Sequence, residues 1–293
     1  MDDVQQVRRI WETLGLPGLI DIHTHFMPKP VMDKVWKYFD SQGPLVGRHW
    51  PITYRADEAQ RVETLRRFGV RRFTSLVYPH KPEMAAWLNQ WAAQFSLSTP
   101  DCLSTATFYP EPGAADYVRA ALEDGARIFK AHIQVGNYDP NNALLDEVWG
   151  VLEDHGTPVI IHCGSGPVPG THTGPEPIRA LLRRYPRLAL MVAHMGMPEY
   201  RDFLDICLQH DNVRLDTTMA FTAFAEEGMP LPRDVLARLP EAAERILWGS
   251  DFPNIPYSYS EAMTAVTDLK GIDDTWLRAV FYGNAARLFG LSN

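Results

Sequence analysis

The sequence alternates short apolar runs with amphipathic stretches eight times, and this alternation limits the fold more than any other feature. A short apolar run bounded by turn residues predicts a buried strand, and an amphipathic stretch with a period near 3.6 predicts a helix. Strands that alternate with helices form parallel sheets, and eight such units make a (β/α)8 TIM barrel. The predicted strands cover residues 18–25, 73–78, 103–109, 126–135, 158–163, 188–194, 213–218 and 246–251.

Predicted helices fill the gaps between these strands. Gly69, Gly125 and Gly156 each follow a helical run at a position where a left-handed backbone is common. An open doubly wound sheet is the alternative, but no glycine-rich phosphate loop follows the first strand. We therefore expect one α/β barrel domain over residues 1–293, with closing helices in residues 272–293. The other predicted helices are 56–68, 82–95, 113–124, 142–155, 175–185, 199–210, 233–239 and 260–269, and the last helical pattern covers 274–289.

One segment, residues 27–55, interrupts the alternation between the first strand and the first helix. It carries aromatic side chains, among them Trp36, Trp50 and Tyr54, between prolines and glycines. In a barrel this segment is an extended first βα loop above the mouth where active sites lie. A lid or a wall of the substrate pocket is one interpretation; an oligomer contact or packing decoration is the other.

Charge and cysteine content argue against several function classes. The net charge is −8, and no run of Lys and Arg resembles a nucleic-acid footprint. No apolar stretch reaches the ~18 residues that span a bilayer, and the acidic N-terminus is unlike an export signal. Three widely spaced cysteines do not indicate a disulfide framework. We expect a cytoplasmic protein that acts on a small molecule, without nucleic-acid or membrane partners. The sequence is compatible with a homo-oligomer.

The first predicted strand ends in a His-x-His pair, His23 and His25. Side chains at i and i+2 of a strand project to the same face, so two imidazoles here can share one cation. With ten histidines in the chain, such a pair also arises by chance. Its position at a strand end therefore carries most of the information.

Three further strands end in a residue that can bind a metal: His162, His194 and Asp251. Each alone is compatible with a hydrogen-bonded residue at the rim of the barrel. Together with the His-x-His pair they indicate a site, because catalytic barrels draw residues from the ends of several strands. Imidazoles and a carboxylate suit zinc, and less selectively manganese, iron or cobalt. Such an ion lowers the pKa of a bound water and polarises a substrate oxygen.

These segments resemble the motifs of the amidohydrolase superfamily, and more narrowly its amidohydrolase-related branch. The segments are DIHTH at 21–25, VIIHCG at 159–164, LMVAHMG at 190–196 and LWGSDFPN at 247–254. The resemblance implies a barrel of the metal-dependent hydrolase type. It also implies His23, His25, His162 and Asp251 as ligands of one divalent metal. His194 then orients or deprotonates the metal-bound water or a substrate group, and we count Asp251 with His194 as catalytic.

The fourth strand poses a separate question, because Lys130 and His132 share one of its faces. Two-metal members of the superfamily use a strand-four lysine or glutamate as a bridge, so a second metal at Lys130 is one interpretation. A lone metal is usual in this branch, which favours Lys130 and His132 as substrate contacts. His172 and Tyr78, in loops after the fifth and second strands, are further candidates for contacts with substrate. Asp216, which ends the seventh strand, is interpreted as a hydrogen-bonding rim residue.

Two activities fit this resemblance. The first is a hydrolase that uses a metal-activated water on an ester, lactone or amide bond of a small organic substrate. The alternative is a non-oxidative decarboxylase of an aromatic or unsaturated carboxylic acid, such as aminocarboxymuconate semialdehyde decarboxylase in the same branch. The short segment 164–174 favours the hydrolase, because decarboxylases of this branch carry longer excursions there. A barrel that binds metal without catalysis is a third interpretation, and the intact ligand set argues against it.

Overall fold

The computed structural model of the protein describes residues 2–41 and 49–291, so residues 42–48 of the predicted first loop and the last two residues lie outside the described part. The chain forms two compact units, Met1–Thr74 with Asp216–Asn293, and Ser75–Leu215. The strands are β1 (Leu19–Asp21), β2 (Val70–Thr74), β3 (Cys102–Leu103), β4 (Thr105–Thr107), β5 (Ile128–His132), β6 (Val159–His162), β7 (Leu190–Val192), β8 (Val213–Asp216) and β9 (Ile246–Leu247).

Fourteen α-helices are found among the described residues. They are α1 (Asp3–Thr13), α2 (Lys29–Ser41), α3 (Glu58–Phe68), α4 (Ala85–Ser98), α5 (Ala114–Glu123), α6 (Ile133–Gly136), α7 (Asp146–His155), α8 (Pro175–Arg184), α9 (Tyr200–Gln209), α10 (Ala223–Glu226), α11 (Arg233–Arg238), α12 (Tyr259–Thr267), α13 (Asp274–Arg278) and α14 (Asn284–Leu288). Every predicted strand region overlaps a strand, the third as β3 and β4, and every predicted helix region overlaps a helix. The second strand was predicted too late in the chain, because β2 overlaps the predicted residues 73–78 only at Phe73 and Thr74. Within the described ranges, no helix is both long and apolar enough for a membrane crossing.

In the first unit, β1 pairs in parallel with β2, and helix α1 packs on α12 and α3. Helix α1 was not predicted, although Asp2 and Gln5 form the capping box that often begins a helix. Trp11 anchors α1 because its indole Nε1 donates to the Phe68 carbonyl at 2.9 Å. Gly69 follows with a left-handed φ of 85°, as predicted for a glycine that ends a helix.

Helix α2 corrects the interpretation of residues 27–55 as a loop throughout. One face of this helix carries Met32, Trp36 and Phe39 at helical spacing, and these side chains are buried or half-buried. Burial of an apolar face with this spacing explains why Lys29–Ser41 is helical. Trp36 Nε1 donates to Asn254 Oδ1 at 3.0 Å, and Trp50 Nε1 donates to the Asn254 carbonyl at 2.9 Å. The described part of this segment is therefore tied to the chain that follows β9.

The closing helices form one continuous helical stretch, in which a π-helical turn at Ala279–Gly283 joins α13 to α14. Asn284 holds the stretch against the start of β9, because its Nδ2 donates to the Ala243 and Ile246 carbonyls, each at 2.7 Å. The Trp248 amide donates to the Val280 carbonyl at 3.0 Å. These bonds fix the chain just before Asp251.

In the second unit, β4, β5, β6, β7 and the first three residues of β8 are parallel neighbours in that order. The strands read as continuous apolar runs because they are buried on both faces, as Val159, Ile160 and Ile161 show. The register places His132 opposite His162, so the carboxyl ends of β5 and β6 lie side by side. Strand register, rather than sequence distance, brings these two histidines together.

Candidate functional site

In the first unit, backbone hydrogen bonds bring the His-x-His segment beside the segment that follows β9. Strand β1 ends at Asp21, so His23 and His25 lie just beyond it, although the predicted strand, residues 18–25, included them. The His25 amide donates to the Phe252 carbonyl at 2.7 Å, and the Asp251 amide donates to the His23 carbonyl at 2.9 Å. The two histidines and Asp251 are thus held by main chain as well as by side chains.

The two imidazoles converge on one carboxylate oxygen. Asp251 Oδ1 lies 2.9 Å from His25 Nε2 and 3.5 Å from His23 Nε2. The two ring centroids are 5.2 Å apart, and all three residues are at least nine-tenths buried. Two imidazoles and a carboxylate at this spacing form a His–His–Asp group of the kind that holds a divalent metal.

The protonation of His23 supports this interpretation. His23 Nδ1 lies 2.8 Å from Asp216 Oδ2, and a carboxylate can only accept, so Nδ1 donates. In a neutral imidazole, Nε2 then carries a lone pair that faces the Asp251 carboxylate. A ring nitrogen and a carboxylate oxygen 3.5 Å apart are two donor atoms that one cation can bind together. The donor set therefore fits a metal.

The backbone of Asp251 is unusual, with a left-handed φ of 69°. A non-glycine residue in this region costs about 1–3 kcal/mol and persists only where its surroundings hold it. His194 and Met195 in the second unit share this conformation, with φ of 57° and 54°. Such residues cluster at functional sites, and two of these three were singled out by the sequence.

Asp21 is a buried residue that the sequence analysis did not single out, although it opens the DIHTH segment. It accepts from Ser250 Oγ at 2.6 Å, Tyr259 Oη at 2.8 Å, and the amides of Ser250 and His23 at 3.1 and 3.2 Å. Burial raises the pKa of its carboxyl to about 7 against these donors, each of which lowers it. Asp21 therefore ties the start of the His-x-His segment to the residue before Asp251.

The second unit gathers His132, His162 and His194 at the ends of its strands. The rings of His132 and His162 stack at 4.1 Å with an angle of 11°, and His194 meets His162 edge-on at 4.6 Å. Tyr78 packs at 4.9 Å against the other side of this row, on His132. His162 Nε2 lies 3.0 Å from the Gly166 carbonyl, and both His162 and His194 are more than nine-tenths buried.

The remaining predicted residues differ in their surroundings. Lys130 lies within β5 and is 1% exposed, so it is an interior lysine rather than a surface one. His172 is half-buried between β6 and α8, and within the described ranges no hydrogen bond or ring contact joins it to the histidine row. Asp216 ends β8 and forms hydrogen bonds, as predicted, and it is fully buried beside His23.

Solved structures share this fold over most of the chain. An uncharacterised TIM-barrel protein from Bordetella bronchiseptica aligns with a TM-score of 0.69 at 19% identity, covering 93% of this chain and 98% of that one. A protein from Pseudomonas putida, provisionally assigned as a 2-pyrone-4,6-dicarboxylic acid hydrolase, aligns with a TM-score of 0.62 at 16% identity, covering 94% and 99%. A manganese complex of 5-carboxyvanillate decarboxylase from Novosphingobium aromaticivorans aligns with the same TM-score at 16% identity, covering 94% and 97%.

The predicted fold class, a parallel α/β fold of the (β/α)8 barrel type, is confirmed by these likenesses. The amidohydrolase family model matches residues 20–291, and the chain therefore belongs to the amidohydrolase family. The predictions of this family and of an enzyme are confirmed. A comparison with functionally curated proteins found no match.

Proposed function

We propose that the protein is a metal-dependent hydrolase that cleaves an ester, lactone or amide bond of a small organic acid. The observation that carries this proposal is the convergence of His23 and His25 on one buried oxygen of Asp251. Family membership supports this proposal. The likeness to a protein provisionally assigned as a hydrolase of 2-pyrone-4,6-dicarboxylic acid, a cyclic ester with two carboxylates, also supports it.

We propose His23, His25, His162 and Asp251 as the ligands of one divalent ion, with zinc first and manganese, iron or cobalt as alternatives. Three of these four proposed ligands are imidazoles, which suit zinc. The sequence motif around His162 supports its inclusion in the set, and the manganese in the decarboxylase complex keeps that metal open. When bound, the ion would lower the pKa of a coordinated water and polarise a substrate oxygen.

We assign the proton transfers to His194, with Asp251 as a second base. His194 is buried and held in a left-handed conformation, which fixes the direction of its imidazole. A fixed imidazole can take a proton from the attacking water and return it to the leaving group. Lys130, His132, His172 and Tyr78 are proposed substrate contacts. Lys130 and the imidazoles would compensate carboxylate charge on the substrate.

The second candidate is a non-oxidative decarboxylase, favoured by the likeness to 5-carboxyvanillate decarboxylase. In that reaction, the same imidazole would deliver a proton to the carbon that loses carbon dioxide. The cytoplasm remains the proposed compartment, and the three buried cysteines, which form no disulfide among the described residues, support it.

Purified protein should be screened against lactones, amides and aromatic carboxylic acids, with acid release and carbon dioxide followed in the same samples. We expect acid release without carbon dioxide, abolished by a chelator and restored by Zn²⁺ or Mn²⁺. Carbon dioxide from an aromatic acid would instead establish the decarboxylase. Turnover that survives complete metal removal would contradict both candidates.

A further inference from the structure

Asp216 is a buried carboxylate with no part in the proposed chemistry, and its contacts are specific. It ends β8 in the first unit, it is 0% exposed, and its Oδ2 lies 2.8 Å from His23 Nδ1. Its other oxygen accepts from the Thr218 amide at 3.1 Å. Both oxygens are therefore held, so the carboxylate cannot turn away from the imidazole.

The chemistry of the pair decides which nitrogen of His23 carries the proton. A carboxylate has no proton to donate, so the Nδ1–Oδ2 contact requires the proton on Nδ1. The opposite nitrogen, Nε2, is the one on the side of Asp251, at 3.5 Å from Oδ1. A metal ligand must present a lone pair, and this arrangement directs that lone pair toward the proposed ion.

Close packing surrounds the base of the His23 side chain. Gly249 lies against His23, so near that a Cβ atom on this glycine would stand 2.7 Å from His23 Cβ. The same Cβ would be 3.6 Å from Asp216 Cγ. A side chain at position 249 would therefore clash with the base of His23, whereas its distance to the Asp216 carboxylate is an ordinary contact.

We propose that Asp216 is a positioning residue of the metal centre: it holds the proton of His23 on Nδ1, so that Nε2 binds the ion. The inference rests on the proposed metal site. In this role Asp216 acts through His23 and raises metal affinity, without contacting the reacting atoms. Removal of a carboxylate behind a ligand histidine commonly weakens metal binding about 10- to 100-fold.

Two measurements test this role. In metal-free protein with ¹⁵N-labelled histidine, the long-range ¹H–¹⁵N spectrum should show His23 protonated on Nδ1, with the resonance assigned by comparison with His23→Gln. In a competition titration with Zn²⁺ and a chromogenic chelator, Asp216→Asn should bind Zn²⁺ about 10- to 100-fold more weakly than the wild type. Asp3→Asn is the matched control, because Asp3 is a half-buried carboxylate of the same unit that accepts hydrogen bonds from Ser260 and Tyr54 and not from a histidine. This control should keep wild-type affinity.

The possible results separate the two proposals. Wild-type affinity in a folded Asp216→Asn variant would overturn the role of Asp216, and so would an Nε2-protonated His23 in the wild type. The spectrum of the wild type decides the question even if the variant does not fold. A wild type that binds no Zn²⁺ while His23 is protonated on Nδ1 would overturn the metal site instead.

Discussion

Gly249→Ala is the substitution that the geometry of the His–His–Asp group constrains most sharply. A Cβ at this position would lie 2.7 Å from His23 Cβ and even closer to Thr218 Oγ1. Ordinary contact begins at 3.4 Å, so the separation must grow by about 0.7 Å, and the Cβ atoms of both residues can move only with their backbones. A site tolerates only about 0.5 Å of displacement before its geometry is lost.

We expect two effects of different origin from this variant. Overpacking should lower the free energy of unfolding of the metal-free protein by about 1–3 kcal/mol. Displacement of His23 should also weaken Zn²⁺ binding, which adds to the loss of stability only when metal is present. Urea denaturation with and without chelator separates the two effects, and the Zn²⁺ competition titration measures the second directly.

Gly150→Ala is the matched control. Gly150 lies inside α7, and no atom stands within 4 Å of the place that its Cβ would occupy. Alanine in a helix interior should stabilise the protein by about 0.5–1 kcal/mol relative to glycine. A Gly249→Ala variant with wild-type stability and wild-type Zn²⁺ affinity would refute the packing argument.

Three further substitutions test separate parts of the structure. Tyr259→Phe removes the acceptor of Trp248 Nε1 and one donor to the buried carboxylate at the end of β1, and should cost about 1–3 kcal/mol in urea denaturation; an unchanged midpoint would contradict this network. Trp11→Ala should cost about 3–5 kcal/mol in the same assay, because Trp11 is buried and anchors α1; a loss below 1 kcal/mol would show that α1 contributes little. His194→Asn should keep the metal and lower kcat by about 10²–10⁴ with little change in KM. The control His210→Asn, at the end of α9, should leave turnover unchanged. Loss of metal from His194→Asn would make His194 a ligand instead.

Periodicity predicted the order of strands and helices because strand and helix repeats differ along a single sequence. The same signal was present in α2, where Met32, Trp36 and Phe39 are spaced as on a helix face, but the surrounding prolines and glycines obscured it. The start of α1 also had a readable signal, the capping pair Asp2 and Gln5. These two helices could therefore have been predicted.

Other features depend on contacts that a sequence does not contain. The left-handed backbone at His194 and Asp251 is imposed by surrounding structure, because it is uncommon for any residue other than glycine, although Asp and His adopt it more often than most. The contact of Asp216 with His23 joins residues 193 positions apart, and the sequence indicated only a hydrogen-bonding residue at the end of a strand, without its partner. The sequence did not single out Asp21, because the hydrogen-bond partners of a carboxylate within an apolar run are known only from the folded structure.

The central claim is that the protein binds one catalytic divalent metal, and metal content per chain tests it most directly. Protein prepared without chelator should contain about one zinc, manganese, iron or cobalt ion per chain by inductively coupled plasma mass spectrometry. Asp251→Asn and His162→Ala should each lose most of that metal while remaining folded by circular dichroism. Two ions per chain would favour a bridge at Lys130. A metal-free wild type that cannot be loaded with any of these ions, or full occupancy in both variants, would contradict the account.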